Sequence, residues 1–185
     1  MATAPIETDL SPETTPATGL VWRMALRFGV GAGVGCAMWM LGLQLSGNNG
    51  FGPKQILAQL LVPLAALASQ WQLRRRLRPA KQGLGRSLGV GVLTALLAAA
   101  VSASSMVGLA HGAGEPALAR HRAEVAEIVR VQQRETKEQL PEPVRQQQLR
   151  NVAQMTVGGM ASTNFLQVLV LGLVLAIPAG IFLRE

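Results

Sequence analysis

The stretch LGVGVLTALLAAAVSASSMVGLA, residues 88–110, decides the fold, because its 23 residues include no charged side chain. A helix of that length rises about 35 Å, which is enough to cross the ~30 Å hydrocarbon core of a bilayer. Three further apolar windows lie at residues 20–45, 56–73 and 157–183. A soluble chain of 185 residues could hardly bury four such helices. We therefore predict an all-α integral membrane protein with four transmembrane helices.

Composition and charge agree with that environment. The chain is 49% hydrophobic and 15% charged, whereas soluble domains average about 25% charged residues. The formal net charge of +7 would suit a nucleic-acid binder, but such proteins gather their basic residues on one exposed face. Here many basic residues adjoin the apolar windows, as topology signals do. We expect the lipid bilayer as the surroundings and no nucleic-acid partner.

Basic residues near the window ends predict the orientation. The densest cluster lies in the short loop between the second and third windows: Arg74, Arg75, Arg76, Arg78, Lys81 and Arg86. Short loops rich in Lys and Arg stay in the cytoplasm, so four spans would leave both termini there and place residues 111–150 outside. The expected location is the bacterial inner membrane. Residues 1–19, rich in Pro and Thr, are predicted to be a disordered cytoplasmic tail before a four-helix membrane domain, residues 20–185.

Small residues at helical spacing are the candidate helix-packing positions. In lipid, close approach of small residues has to hold helices together, because no hydrophobic effect drives them to associate. The candidates are Gly29, Gly31, Gly33 and Gly35 in the first window, Gly91 and Ala95 in the third, and Gly172, Ala176 and Gly180 in the fourth. These stripes predict a tight four-helix bundle, or seams for docking other subunits.

Ionisable residues are missing from the middle of every window, where no Asp, Glu, Lys or His occurs. Proton relays and ion-coupled transport usually depend on such residues. Gln59, Asn164 and Gln167 could line a small polar path, but side chains of this kind more often form hydrogen bonds between helices. We expect the packing role for them.

Nothing in the sequence predicts catalysis or a bound cofactor. The two histidines, His111 and His121, are ten residues apart and have no neighbouring Cys or Asp, so they do not make a metal-ligand set. We expect each to be solvated or at the membrane interface. No Ser/His/Asp set and no pair of carboxylates in an apolar setting is evident. The expectation is a non-enzyme without metal or cofactor.

The segment between the third and fourth windows, about residues 116–150, is hydrophilic but periodic. Pro116 predicts the first turn of a helix, on which Leu118, Val125, Ile128 and Val129 form one apolar stripe. These four are the candidate partner contacts. Pro141 and Pro143 break the run, and a second helix is predicted from there into the fourth span. The stripe could pack on the bundle or in the headgroups, or it could dock a partner.

The layout of the chain also carries a resemblance. The third window begins with the Gly-rich GLGRSLGVG of residues 83–91, the outer segment is rich in Glu and Gln, and the last window begins near Gly158 and Gly159. From about Trp22 to Arg184 the sequence resembles a bacterial family of small four-span membrane proteins catalogued only as a domain of unknown function (number four-one-nine-nine). The linker between the second and third windows is more basic and Ala-rich than that family's linkers. The resemblance implies an integral membrane protein and supplies no activity.

Two functions remain open from the sequence. The first is a structural or accessory membrane protein that binds or stabilises other membrane subunits through its outer helix and glycine seams. The alternative is a small transporter or channel-like protein, formed by self-association, with Gln59, Asn164 and Gln167 near its path.

Overall fold

The computed structural model describes residues 16–78, 83–135 and 141–183, and the regular structure within these ranges is helical throughout. The helices are α1 (Pro16–Leu45), α2 (Ile56–Gln59), α3 (Leu61–Leu77), α4 (Leu84–Glu135), α5 (Glu142–Ala153) and α6 (Val157–Phe182), with a 3-10 turn at Pro53–Gln55 before α2. The predicted all-α fold is confirmed. Residues 1–15 of the predicted tail lie outside the described residues, and α1 begins at Pro16, four residues before the predicted first span.

Four helical stretches are long and apolar enough to cross a membrane: Thr18–Leu45, Pro53–Leu77, Leu84–Glu135 and Val157–Phe182. The prediction of four spans is confirmed at the level of length and composition. In the second span, Pro63 lacks an N–H and its ring crowds the carbonyl of Gln59, one turn earlier. The helix is accordingly interrupted at Leu60, between α2 and α3.

The helix α4 is the central element of the bundle. It packs against α1, α3 and α6, while α3 also contacts α1 and α6. Its 52 residues bend at Gly114, whose φ of 73° and ψ of −177° are open only to glycine at low cost. Pro116 then lies in the first turn of the second half, as the sequence predicts.

The second half of α4, residues 115–135, and α5, residues 142–153, are the two arms of a polar helical hairpin. The Gln133 amide joins its two arms by donating to Gln148 Oε1 (2.7 Å) and to the Arg145 carbonyl oxygen (3.3 Å). The prediction that the second arm continues into the fourth span is wrong. Thr156 is extended and its hydroxyl accepts a hydrogen bond from the Gly159 N–H (3.1 Å), so it caps a separate helix, α6.

The two ends of the bundle differ in charge. One end, called the basic end, carries only arginines among its described charged residues: Arg23, Arg27, Arg74, Arg75, Arg76, Arg78 and Arg86. The other end carries the hairpin and is called the hairpin end. Its apolar core is formed by Met40, Phe51, Met106, Ala110, Leu118 and Met160.

Three exposed tryptophans mark the two levels at which a membrane surface would lie. Trp22 and Trp71 are at the basic end, and Trp39 is near the hairpin end, where its indole donates to the Lys54 carbonyl oxygen (3.1 Å). Tryptophan is enriched at both interfaces of a bilayer. The 17 residues from Trp22 to Trp39 on α1 correspond to a rise of about 26 Å, close to the thickness of the hydrocarbon core.

Candidate functional site

Glycines on one face of α1 bring that helix against α4. A Cβ atom on Gly29 would be 2.7 Å from the Thr94 carbonyl oxygen, and one on Gly33 would be 2.6 Å from Val101 Cβ. Gly31 has nothing within 4 Å, and a Cβ on Gly35 would make only an ordinary contact. Two residues advance a helix by about 200°, so neighbouring members of the predicted set face different sides. Gly29 and Gly33 lie in the α1–α4 seam, and Gly31 lies outside it.

A second seam joins α4 to α6. A Cβ atom on Gly172 would be 2.5 Å from Ala95 Cβ, and Ala176 packs beside Gly91 at the next turn. Gly180 is covered by Leu88 near the basic end. The remaining candidate packing residues of α4 and α6 therefore all lie at helix–helix contacts.

Two of the three polar side chains predicted near a path, Gln59 and Asn164, form hydrogen bonds across helices. The Gln59 amide donates to Asn164 Oδ1 (2.9 Å), and the Asn164 amide donates to the Ser102 hydroxyl (2.9 Å), which ties α2, α6 and α4 together. All three side chains are at most 2% exposed. A second crossing lies nearer the basic end, where the Gln70 amide donates to the Ala176 carbonyl oxygen (2.7 Å).

The main polar cluster outside the spans is centred on His121. This residue is 7% exposed, although the sequence predicts a solvated or interfacial histidine. Its Nδ1 lies 3.0 Å from Asn49 Nδ2, and its ring makes an edge contact with Phe51, with centroids 5.9 Å apart. The Asn49 amide also donates to Glu124 Oε2 (2.6 Å). The hairpin is thereby joined to the loop that follows α1.

Burial and hydrogen bonding both favour the neutral form of the His121 imidazole. His121 lies beyond Gly114, outside the apolar window of residues 88–110. Burial lowers its pKa below the ordinary value, Glu124 acts in the opposite direction, and Arg122 lowers it further. The Nδ1 atom, which faces an amide N–H, has to accept rather than donate.

Arg122 fixes the base of the hairpin. Its Nη1 contacts Glu115 Oε1 at 2.6 Å, and its Nε donates to the Met155 carbonyl oxygen at 3.1 Å. Because Met155 lies between α5 and α6, this side chain connects the two arms of the hairpin to the start of the last span. Hydrogen bonds to a charged group of this kind contribute more than neutral ones.

A cavity of about 170 Å³ lies beneath the hairpin, between the loop after α1, α4 and α6. Its lining residues are Phe51, Gln55, Met106, His121, Met155, Gly159, Met160, Thr163, Asn164 and Gln167. Of the three predicted path residues, Asn164 and Gln167 line the cavity, whereas Gln59 is joined to it only through Asn164.

The candidate partner contacts are divided by the structure. Leu118 is 7% exposed and belongs to the apolar core of the hairpin end. Val125 and Val129 are half-buried, and Ile128 is 43% exposed. Leu118 thus packs within the bundle itself, whereas Ile128 is the member of the stripe with an exposed apolar surface.

Sequence reasoning did not find the His121 cluster. Asn49 and His121 are 72 residues apart in the chain, and neither lies in a recognisable motif. The available signal was the placement of Asn49 in a loop and of His121 two turns into a helix at the same predicted membrane level. Within the described residues, no group of three or more His, Cys, Asp or Glu side chains is placed to hold a metal ion.

Residues 27–185 match the family model described as "Protein of unknown function (DUF4199)". The chain belongs to this family. The match begins about three turns into α1 and includes the other helices, which confirms the resemblance in the sequence. No curated protein and no solved structure matches the chain. Membership of DUF4199 indicates no activity, because the function of this family is unknown. The function of the protein therefore has to be argued from its own geometry.

Proposed function

We propose that the protein is a non-catalytic accessory subunit of the bacterial cytoplasmic membrane, which binds another membrane-protein subunit through its polar hairpin. The observation that carries this proposal is the pairing of Gln59, Asn164 and Ser102 in the middle of the bundle. Gln59 and Asn164 are two of the three side chains predicted to lie near a transport path, and both are used in hydrogen bonds between helices. The interior then serves packing, and the surface at the hairpin end remains for function.

The hairpin has an apolar surface that the bundle does not cover. Ile128, Val131 and Val144 are each about 40% exposed or slightly more (43%, 39% and 43%). Ile128 also lines a groove of about 450 Å³ with Glu124, Glu127 and the loop around Lys54. Exposed aliphatic side chains beside charged ones are typical of the rim and core of a protein interface. This composition favours a protein partner over lipid tails.

The proposed orientation places the basic end in the cytoplasm and the hairpin outside. Seven described arginines occupy the basic end without a described acidic residue there. At the hairpin end, basic residues alternate with glutamates, as in the ion pairs of Arg130 with Glu127 and Arg145 with Glu142. An excess of Lys and Arg close to the span ends marks the cytoplasmic side.

Cysteine labelling tests this orientation. The free cysteine of the described chain, Cys36, is buried, so a membrane-impermeant maleimide should report on introduced cysteines. In intact cells, Glu127→Cys should be labelled and Leu84→Cys, at the exposed start of α4, should be labelled only after the membrane is opened. The reverse pattern would contradict the orientation.

Native purification tests the accessory role. The protein, isolated from its own membrane in a mild detergent, should elute with a second membrane protein at a fixed stoichiometry. Ile128→Ser should release that partner, whereas Ala123→Ser, on the opposite side of the same helix, should retain it. A complex that contains only copies of this chain, unchanged by Ile128→Ser, would refute the proposal.

A small transporter is the second candidate, and one observation favours it. Asn164 lies both in the buried hydrogen-bonded chain and in the wall of the 170 Å³ cavity. If substrate passes there, Asn164→Leu should abolish uptake in a vesicle assay without altering assembly. Unchanged uptake in this variant would refute the transporter and leave the accessory role as the remaining proposal.

A further inference from the structure

The cavity beneath the hairpin has the features of a binding site for an uncharged molecule. Among the described residues, its lining includes no Asp, Glu, Lys or Arg. Phe51 and the thioether side chains of three methionines provide most of its apolar wall. A few polar groups, from His121, Gln55, Thr163 and Gln167, converge on the same space. Ligand sites are commonly apolar with a small number of such polar groups.

The hydrogen-bond network around His121 determines which ring nitrogen carries the proton. The Phe51 backbone N–H, which can only donate, points at Asn49 Oδ1 (2.9 Å). That contact orients the amide, so Asn49 Nδ2 faces Glu124 and His121 Nδ1. Because Nδ1 accepts, the proton of the neutral ring is on Nε2.

The Nε2 atom is the unused donor of this site. No hydrogen-bond partner for it occurs within residues 16–78, 83–135 and 141–183, although the side chain is 93% buried (7% exposed) and lines the cavity. His121 Nε2 is not among the fully enclosed side-chain atoms of the described residues that lack a partner, so it keeps accessible surface where the side chain lines the cavity. A ligand or water that presents an acceptor can therefore reach this donor and pair with it.

The volume of the cavity limits the size of the ligand. Drug-sized ligands occupy sites of about 300–1,000 Å³, whereas an apolar cavity of about 150 Å³ holds one benzene molecule. At about 170 Å³, the cavity under the hairpin fits a single six-membered ring. Its position at the end of the spans allows a ligand to arrive from the membrane.

We propose that this cavity binds a small uncharged ring compound that bears a carbonyl group, with the carbonyl oxygen accepting a hydrogen bond from His121 Nε2. The ring packs against Phe51 and the methionine side chains, which are flexible enough to fit its outline. Asn49 is a positioning residue, because it sets the tautomer of His121 and does not line the cavity.

A soft metal ion such as Cu(I) is the competing occupant, since methionine thioethers and imidazole are suitable ligands for it. Metal binding at Nε2 would require the proton on Nδ1, with an acceptor facing it. In this structure an amide donor faces Nδ1. The two proposals therefore predict opposite tautomers.

Nitrogen NMR of histidine-labelled protein in lipid nanodiscs measures the tautomer. The chain has two histidines, and His111→Gln assigns their signals. His111 is an internal reference, because its Nδ1 lies 2.8 Å from the Val107 carbonyl oxygen and must be the protonated nitrogen. We expect His121 to show the opposite pattern, with protonated Nε2. Protonation of Nδ1 in His121 would overturn the proposal.

A matched pair of probes then tests the ligand class. Cyclohexanone and methylenecyclohexane have nearly the same shape, but only the first has an oxygen acceptor. Cyclohexanone should shift the His121 Nε2 signal saturably and bind about tenfold more tightly, as expected for one hydrogen bond. His121→Phe, which preserves a ring against Phe51, should reduce the affinity for cyclohexanone to that for methylenecyclohexane. Equal affinity of the two probes for the unmodified protein would overturn the proposal, whether or not the variant folds.

Discussion

The middle of the bundle and its hairpin end fill space in different ways. In the middle, small residues bring backbones together, so that a Cβ atom on Gly33 or Gly172 would overlap a neighbouring helix. At the hairpin end, large and flexible side chains such as Met106, Met155 and Met160 surround a cavity. The first arrangement leaves no room for a ligand, and the second leaves room for one. The comparison assigns close packing to the middle of the bundle, and the proposed binding uses the space left at the hairpin end.

The largest effect is expected from filling the α1–α4 seam. Gly33→Leu should lower the free energy of unfolding by about 3 kcal/mol, because the new side chain meets Val101 and forces α1 away from α4. Gly31→Leu is the matched control, since Gly31 has nothing within 4 Å. Thermal unfolding in detergent measures both variants. Equal loss in the two would mean that α1 does not pack on α4 through this face.

The next effect concerns the contact between the hairpin and the bundle. Leu118→Ser should cost about 2 kcal/mol of local stability, since Leu118 is almost fully buried in the core of the hairpin end. The hairpin should become sensitive to protease while the spans remain folded. Ile128→Ser, at an exposed position on the same arm, should leave protease resistance unchanged. If only Ile128→Ser increased cleavage, the assignment of the two faces would be wrong.

A smaller effect is expected from the buried hydrogen bonds. Asn164→Leu removes the partner of both Gln59 and Ser102 and should cost about 1 kcal/mol, because hydrogen bonds between membrane helices are individually weak. Gln167→Leu is the control, as Gln167 lines the cavity instead of joining helices. Comparison of unfolding midpoints separates them. A larger loss of stability for Gln167→Leu would contradict this assignment, because the stabilising polar contact would then be at Gln167 and not at Asn164.

The smallest expected effect is the pH dependence of the hairpin end. Burial lowers the pKa of His121 in the folded protein, so the opened hairpin takes up a proton first as the pH falls below the ordinary value of 6.5. The stability of the closed hairpin should therefore be complete above that pH and decrease below it. Protease resistance across this range measures the effect, and His121→Phe should flatten the profile. A hairpin that becomes more stable on acidification would contradict a neutral, buried His121.

The spans could be predicted from the sequence because membrane crossing depends on local length and hydropathy. The windows at residues 20–45 and 157–183 are within a few residues of α1 and α6. The spacing of the glycines did not predict which of them form the α1–α4 seam. Gly31 and Gly33 belong to the same glycine-rich run, but only Gly33 contacts α4. The break at Thr156 was missed because Val152 and Met155 continue the helical spacing up to the fourth window, whereas the Thr156 hydroxyl caps a new helix there.

The site at the hairpin end could not be predicted for a different reason. Its polar groups come from the loop after α1, from α4 and from α6, and each is unremarkable in its own segment. His121 is surrounded by charged residues in the sequence, which favours exposure, yet the bend at Gly114 and the contact with Phe51 bury it. The relevant information is in the packing of distant segments.

Site-specific photo-cross-linking in native membranes tests the central claim, that function lies at the hairpin end. A photoreactive amino acid at Ile128 should give one discrete adduct with a different membrane protein. The same residue at Ala123, about 140° around the same helix, or at Ile177 on the exposed face of α6 should not give it. An adduct from Ile177 with none from Ile128, or adducts only between copies of this chain, would contradict the account.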